Sequence, residues 1–192
     1  MNLSNVLRKL KLEYNAPVTL TFALIAAVVS VLTSIFGQTV SGFLGASGTV
    51  SLFNPFFYSG LVTHIFAHAN WTHLIGNFGF ILILGPLLEE KYGSGKLALL
   101  IAATAVVTVL LNALLFSNGL IGASGIVFMF IMLSSFSGMK NGRLPLTFLL
   151  VVLLYITKEM VGAFQNDGIS HFAHIIGGTC GSGFGHFLTK KN

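Results

Sequence analysis

Four side chains in this sequence carry the atoms from which a nucleophile, a base and hydrogen-bond donors are made: Ser124, His174, His73 and Asn77. A serine hydroxyl reacts only when a base takes its proton. An imidazole titrates near neutrality and can be that base. A second imidazole and a carboxamide can donate to an oxygen that gains charge. His73 and Asn77 are i, i+4, so on a helix they share a face. Each residue also has a plain structural reading. Ser124 within Gly122-Ala123-Ser124-Gly125 suits small-residue helix packing, His73 and Asn77 suit interhelical hydrogen bonding, and His174 suits a packed core histidine. The tetrapeptide alone decides nothing, because Gly45-Ala46-Ser47-Gly48 repeats it.

The elements that must position these residues follow from composition. Of 192 residues, 54% are hydrophobic and 8% charged, against about 25% charged in an ordinary soluble domain. Fifteen charges cannot solvate the surface of a fold this large, which excludes a water-soluble globule, a nucleic-acid binder and a disordered chain. No Asp, Glu, Lys or Arg occurs from Tyr14 to Leu88, from Leu97 to Met139, or from Gly168 to Thr189. A spanning helix needs about 20 residues, and turn-forming residues at Gly37–Gly60 and Ser117–Gly119 divide the longer runs. Six spans result, at about 17–36, 70–88, 97–116, 122–139, 144–164 and 171–189. All are helices, because lipid offers open backbone groups no partner.

Nine of the ten basic residues fall on one side of these spans. Arg8, Lys9 and Lys11 precede the first, Lys91 and Lys96 follow the second, Lys140 and Arg143 follow the fourth, and Lys190 and Lys191 follow the sixth. The positive-inside rule then places both termini in the cytoplasm. The exception, Lys158 in span five, reads as a snorkelling side chain near the outer interface. Spans two, four and six run inward, and His73, Asn77, Ser124 and His174 all lie in their first turns. By helical rise each sits roughly 5–10 Å beneath the outer surface. Polar groups at that depth face a bundle interior or a wet cavity, and their convergence says more than any one of them alone.

Other chemistries find little here. The single cysteine, Cys180, makes no intramolecular disulfide and no cysteine cage. His64 and His68 are also i, i+4, yet no His-Glu dipeptide occurs, so the H-E-x-x-H zinc helix is absent. No metal, cofactor or nucleic acid is expected.

Taken together, His68–Asn77 (HANWTHLIGN), Gly85–Lys96 (GPLLEEKYGSGK), Ile121–Gly125 (IGASG) and Ala173–Gly178 (AHIIGG) resemble the rhomboid intramembrane serine proteases, most closely the bacterial GlpG type. The resemblance runs over roughly residues 55–189. It implies an all-α, polytopic, six-transmembrane-helix bundle, with Ser124 as nucleophile and His174 as general base. It implies that His73 and Asn77, with Ser124 and Gly122, stabilise the oxyanion, and that His68 supports the site. Two departures from the family pattern stand out: Ser59 and Gly60 replace a common Trp-Arg pair, and Phe128 replaces a common Tyr.

The chemistry also stands on the residues. Asp167 is the only aspartate and falls in a loop, so a Ser–His dyad is more economical than a triad. An aspartyl intramembrane protease needs two membrane aspartates, and a metalloprotease of the membrane needs a His-Glu helix. Ser124 opens a helix, whose free N–H groups and positive dipole end suit an oxyanion. Phe128, one turn along the same face, reads either as a ring pressed on His174 or as a core aromatic. Gly177, Gly181 and Gly185 make a small-residue stripe that lets span six approach a neighbour, taken here to be span four.

The expectation is a single membrane domain over 1–192, with 1–16 a short cytoplasmic segment and 17–189 the six-helix core, in the bacterial inner membrane. Its active site opens outward, and its partners are the bilayer and transmembrane protein substrates. The first outer loop, about 37–69, is uncharged and aromatic and dips into the outer leaflet. Span five and the loop Gln165–Ser170 form the gate. The rival readings are a small transporter or channel and an inactive rhomboid-like binding protein.

Overall fold

The computed structural model describes residues 13–137, 146–163 and 171–189. Among them lie eight α-helices: α1 Pro17–Phe36, α2 Gln38–Leu44, α3 Pro55–Thr63, α4 Trp71–Tyr92, α5 Ser94–Leu115, α6 Ser124–Ser137, α7 Leu146–Ala163 and α8 His171–Thr189. A 3-10 turn covers His64–Phe66. The described residues hold one isolated antiparallel bridge, Ala46 with Leu120, and no longer strand. The fold is an all-α membrane bundle. α1, α4 and α5 are each long and apolar enough to cross a bilayer, while α6 is apolar but shorter.

α6 is the centre. From Ile126 to Phe130 every residue is buried, and Met132 and Leu133 continue the run. A helix apolar on all sides must be enclosed by others, and α4, α5, α7 and α8 pack around this one. Its tightest neighbour is α8. A Cβ placed on Gly177 would run into the carbonyl oxygen of Gly125 and come within 2.9 Å of its Cα. A Cβ on Gly181 would lie 2.9 Å from Met129 Cα, and one on Gly185 would lie 2.5 Å from Phe136 Cβ. The glycine stripe thus lies against α6 along its length, and only hydrogen at these positions permits the approach.

The second span is held from its charged end. Glu89, 5% exposed, accepts from Val18 N (2.8 Å), Thr19 N (3.0 Å), Thr19 Oγ1 (2.8 Å) and Ser94 Oγ (2.8 Å). α1 begins with Pro17 and has no side-chain cap of its own, so a carboxylate from α4 satisfies its first amides and meets its positive dipole end. Gly85 brings the two helices together, since a Cβ there would lie 2.5 Å from Thr19 Cγ2.

Two sequence expectations change. The charged stretch after Leu88 is not an open loop: α4 runs on to Tyr92, and Gly93 alone, at φ +83°, turns the chain into α5. The inward turn of Glu89 explains the continuation. The first outer loop is not irregular throughout. Asn54 accepts from Phe56 N at 3.0 Å and Pro55 holds the first helical position, which starts α3. Its outer side exposes Phe43, Leu52, Phe53, Phe56 and Tyr58. The Gln165–Ser170 loop, Asp167 and the Lys158 side chain lie outside the described residues.

Candidate active site

Ser124 is the first residue of α6 and is half-buried. His174, in the first turn of α8, is 4% exposed. The glycine contact sets the two helix starts side by side: a Cβ on Gly125 would lie 3.2 Å from the carbonyl oxygen of Ala173. One turn below Ser124, the Phe128 ring lies on the His174 imidazole, with centroids 4.5 Å apart and planes at 38°. That contact restricts imidazole rotation. His171, not singled out in the sequence, also meets His174, edge-on at 6.1 Å.

His73 and Asn77 reach the same place from α4. Asn70 starts that helix by accepting from His73 N at 2.9 Å. Gly122, two residues before Ser124, has φ +111°, and a Cβ there would lie 2.6 Å from His73 Cε1, 2.9 Å from His73 Nε2 and 3.7 Å from Asn77 Nδ2. Glycine is required twice over, for its backbone angle and for the space the imidazole fills. Asn77 is buried, and its Nδ2 has no hydrogen-bond partner among the described residues. A buried donor of this kind is costly to leave unpaired.

Gly122 is also held through its own amide. Its N–H donates to His64 O at 2.9 Å. What Gly122 contributes is room for His73. The sequence singled out His64 only for its spacing from His68. In the fold it anchors the segment leading to Ser124, while its own Nδ1 donates to Gly60 O at 3.0 Å. At position 60 a glycine is forced, because a Cβ would lie 2.9 Å from Gly45 O.

His68 stands behind the site. Its Nδ1 lies 3.2 Å from Phe66 O, and its ring meets His73 edge-on at 5.0 Å and Phe78 at 5.7 Å. His64 and His68 lie outside the spanning helices. Burial pushes both down to about 4, and the neighbouring His73 adds to the effect at His68. Among the described residues no three His, Cys, Asp or Glu side chains converge as a metal cage.

Ser47, in the second Gly-Ala-Ser-Gly, sits in a loop. Its Oγ accepts from Thr49 N at 3.3 Å. A cavity of about 640 Å³ opens between α2, α3 and residues 119–121, immediately before the Gly122–Ser124 turn.

The Rhomboid domain model matches residues 55–191, more than two thirds of the chain. The chain belongs to the rhomboid family. Among curated relatives it is 32% identical over 136 residues to Rhomboid-like protein 11, chloroplastic, of Arabidopsis thaliana, covering 62% of this chain and 49% of that one. It is 27% identical over 140 residues to the Bacillus subtilis (strain 168) protein named "Putative rhomboid protease YdcA", covering 67% of this chain and 65% of that one. The match thus spans about half of the first relative and just under two thirds of the second. These matches fix the family and not the GlpG subtype. As a rhomboid the chain is an integral membrane protein.

Proposed function

We propose that this rhomboid is an intramembrane serine endopeptidase of the GlpG type, cutting within or near transmembrane segments of other membrane proteins through a Ser124–His174 dyad. In this reading His174 takes the Ser124 proton as Oγ attacks the scissile carbonyl. The tetrahedral oxygen receives hydrogen bonds from Asn77 Nδ2, from His73 and from the free N–H groups at the start of α6. His174 then gives its proton to the departing amine. Water, activated by the same imidazole, hydrolyses the ester and restores Ser124. Phe128 and His68 act by positioning His174 and His73. No cofactor takes part.

The observation that carries this reading is the backbone contact of α6 with α8 at Gly125, Ala173 and Gly177, which lies beside both dyad residues. The length of α6 supports a sunken site. Its 14 residues rise about 21 Å, short of a bilayer core of about 30 Å. With its C-terminal end at the cytoplasmic boundary, Ser124 lies below the outer surface. The charge distribution supports cytoplasmic termini, a bacterial inner membrane fits that topology, and residues 17–189 form one membrane domain.

A fluorophosphonate probe tests the assignment. Expected is covalent labelling of Ser124 in the purified protein, with cleavage of a fluorogenic transmembrane substrate. A Ser124→Ala variant should lose both. A transporter serine would not react with the probe, and an inactive rhomboid would leave the substrate intact.

A further inference from the structure

Between α1 and α5 lies a groove of about 420 Å³ that the chemistry above does not use. It runs from the helix starts at Pro17 and Ser94 to Ile65 and Phe66 of the 3-10 turn. Along α1 it extends from Pro17 to Ile25, about 12 Å by helical rise.

Its walls are hydrocarbon. The hydroxyls that line it, on Thr21 and Ser94, are already bonded, to Tyr14 OH at 2.9 Å and to Glu89 Oε1 at 2.8 Å. A held water needs two to four polar partners, and this groove supplies none that is uncommitted. Nor is its wall free to collapse. Phe22 is 5% exposed and meets Phe66 at 5.3 Å and Phe78 at 5.0 Å, both edge-on. The space is therefore preformed, apolar and dry, between two helices that are each long enough to span a bilayer.

One end of the groove lies where basic residues cluster in the sequence. Lys91 and Lys96 flank Ser94 and are exposed. Arg8, Lys9 and Lys11 shortly precede Pro17 in the sequence. Of the acidic residues at this end, Glu89 is buried on the start of α1, and Glu13 and Glu90 are exposed, so the five basic residues outnumber two exposed carboxylates. We propose that this groove is a phospholipid site, taking one acyl chain between α1 and α5 with an anionic headgroup at the lysine-bearing end. The length, dryness and one-ended charge match an amphiphile with a single negative head. The site is separate from Ser124, so it stands or falls independently of the proteolytic reading.

The test uses the full chain in vesicles of mixed phosphatidylglycerol and phosphatidylcholine, doped with a phospholipid carrying a diazirine in one acyl chain. Label is mapped by peptide mass spectrometry. Expected is enrichment on residues 17–25 and 98–102, at least tenfold above the exposed outer face of α4 around Ile83, and stronger with the glycerol headgroup. Ala102→Phe and Ile25→Trp, which fill the groove, should each reduce that label at least tenfold. Leu99→Phe, on an exposed face outside the groove, should leave it unchanged. A Lys91→Glu/Lys96→Glu double variant should abolish the headgroup preference. Even labelling of all exposed helix faces, full labelling of both filled variants, or a headgroup preference that survives the lysine changes would overturn the proposal. So would a crosslink to a second copy through the groove.

Discussion

A single methyl group at position 177 tests whether close helix packing sets the proposed Ser124–His174 dyad. In Gly177→Ala the new Cβ would overlap the Gly125 carbonyl and lie 2.9 Å from Gly125 Cα. Both obstacles are backbone, so no side chain can rotate away, and the α6 and α8 starts must part by roughly 1 Å. Overpacking of this kind costs about 1–3 kcal/mol, while alanine regains about 1 kcal/mol of helix propensity. Net stability should therefore fall by no more than about 2 kcal/mol, and the protein should still fold. Catalysis should suffer more, because a misplacement of about 1 Å can cost about 10²-fold in rate, or about 2.7 kcal/mol of barrier. The control lies six residues on. Gly183 has nothing within 4 Å of its Cβ position, so Gly183→Ala should keep full activity and gain stability. Turnover of a fluorogenic transmembrane substrate gives the rate. Labelling of Cys180, the single cysteine and half-buried in α8, by a thiol-reactive dye on heating gives the stability. If Gly177→Ala turned over within threefold of Gly183→Ala, close approach of α6 and α8 would not be what sets the dyad.

Further outcomes follow from the same contacts. Asn77→Ala should fold normally and lose about 10²–10³ in kcat, the usual cost of one oxyanion donor; an unchanged kcat would remove Asn77 from the site. Gly122→Ala should displace His73 and strain a φ of +111°, lowering turnover at least as far, and a double variant with His73→Ala should add little further loss. Glu89→Ala leaves Val18 N and Thr19 N without their buried acceptor and should cost about 3 kcal/mol of stability, whereas Glu89→Gln, which retains one acceptor oxygen, should cost less by thermal dye labelling. Stability should also fall as pH drops from about 6.5 toward 4. Folded His64 and His68 resist protonation until about 4, while the unfolded chain takes up those protons near 6.5, so the unfolded state binds more protons throughout that window. The His64 share is about 3 kcal/mol. His64→Asn, which keeps a donor near the Nδ1 position, should flatten the slope.

Sequence alone determined where the chain turns apolar and where polar atoms interrupt it. The expected spans at 17–36, 97–116 and 171–189 lie within a few residues of α1, α5 and α8, because hydropathy and turn chemistry act locally along the chain. Local signals for α3 are also present in Asn54-Pro55, inside a stretch whose composition suits turns. Other features depend on how helices rotate and meet. The stripe at Gly177, Gly181 and Gly185 announces a close approach but not its partner, since any neighbour could fill the groove it makes. Only the packed bundle gives it α6. Glu89 reads as one more charge at a membrane boundary until α1 and α4 cross at Gly85 and its carboxylate becomes the cap of another helix. Nothing local to Gly122 shows that its amide meets His64 O at 2.9 Å. Residues 58 positions apart share no local signal, so tertiary packing alone decides which backbone group each hydrogen bond finds.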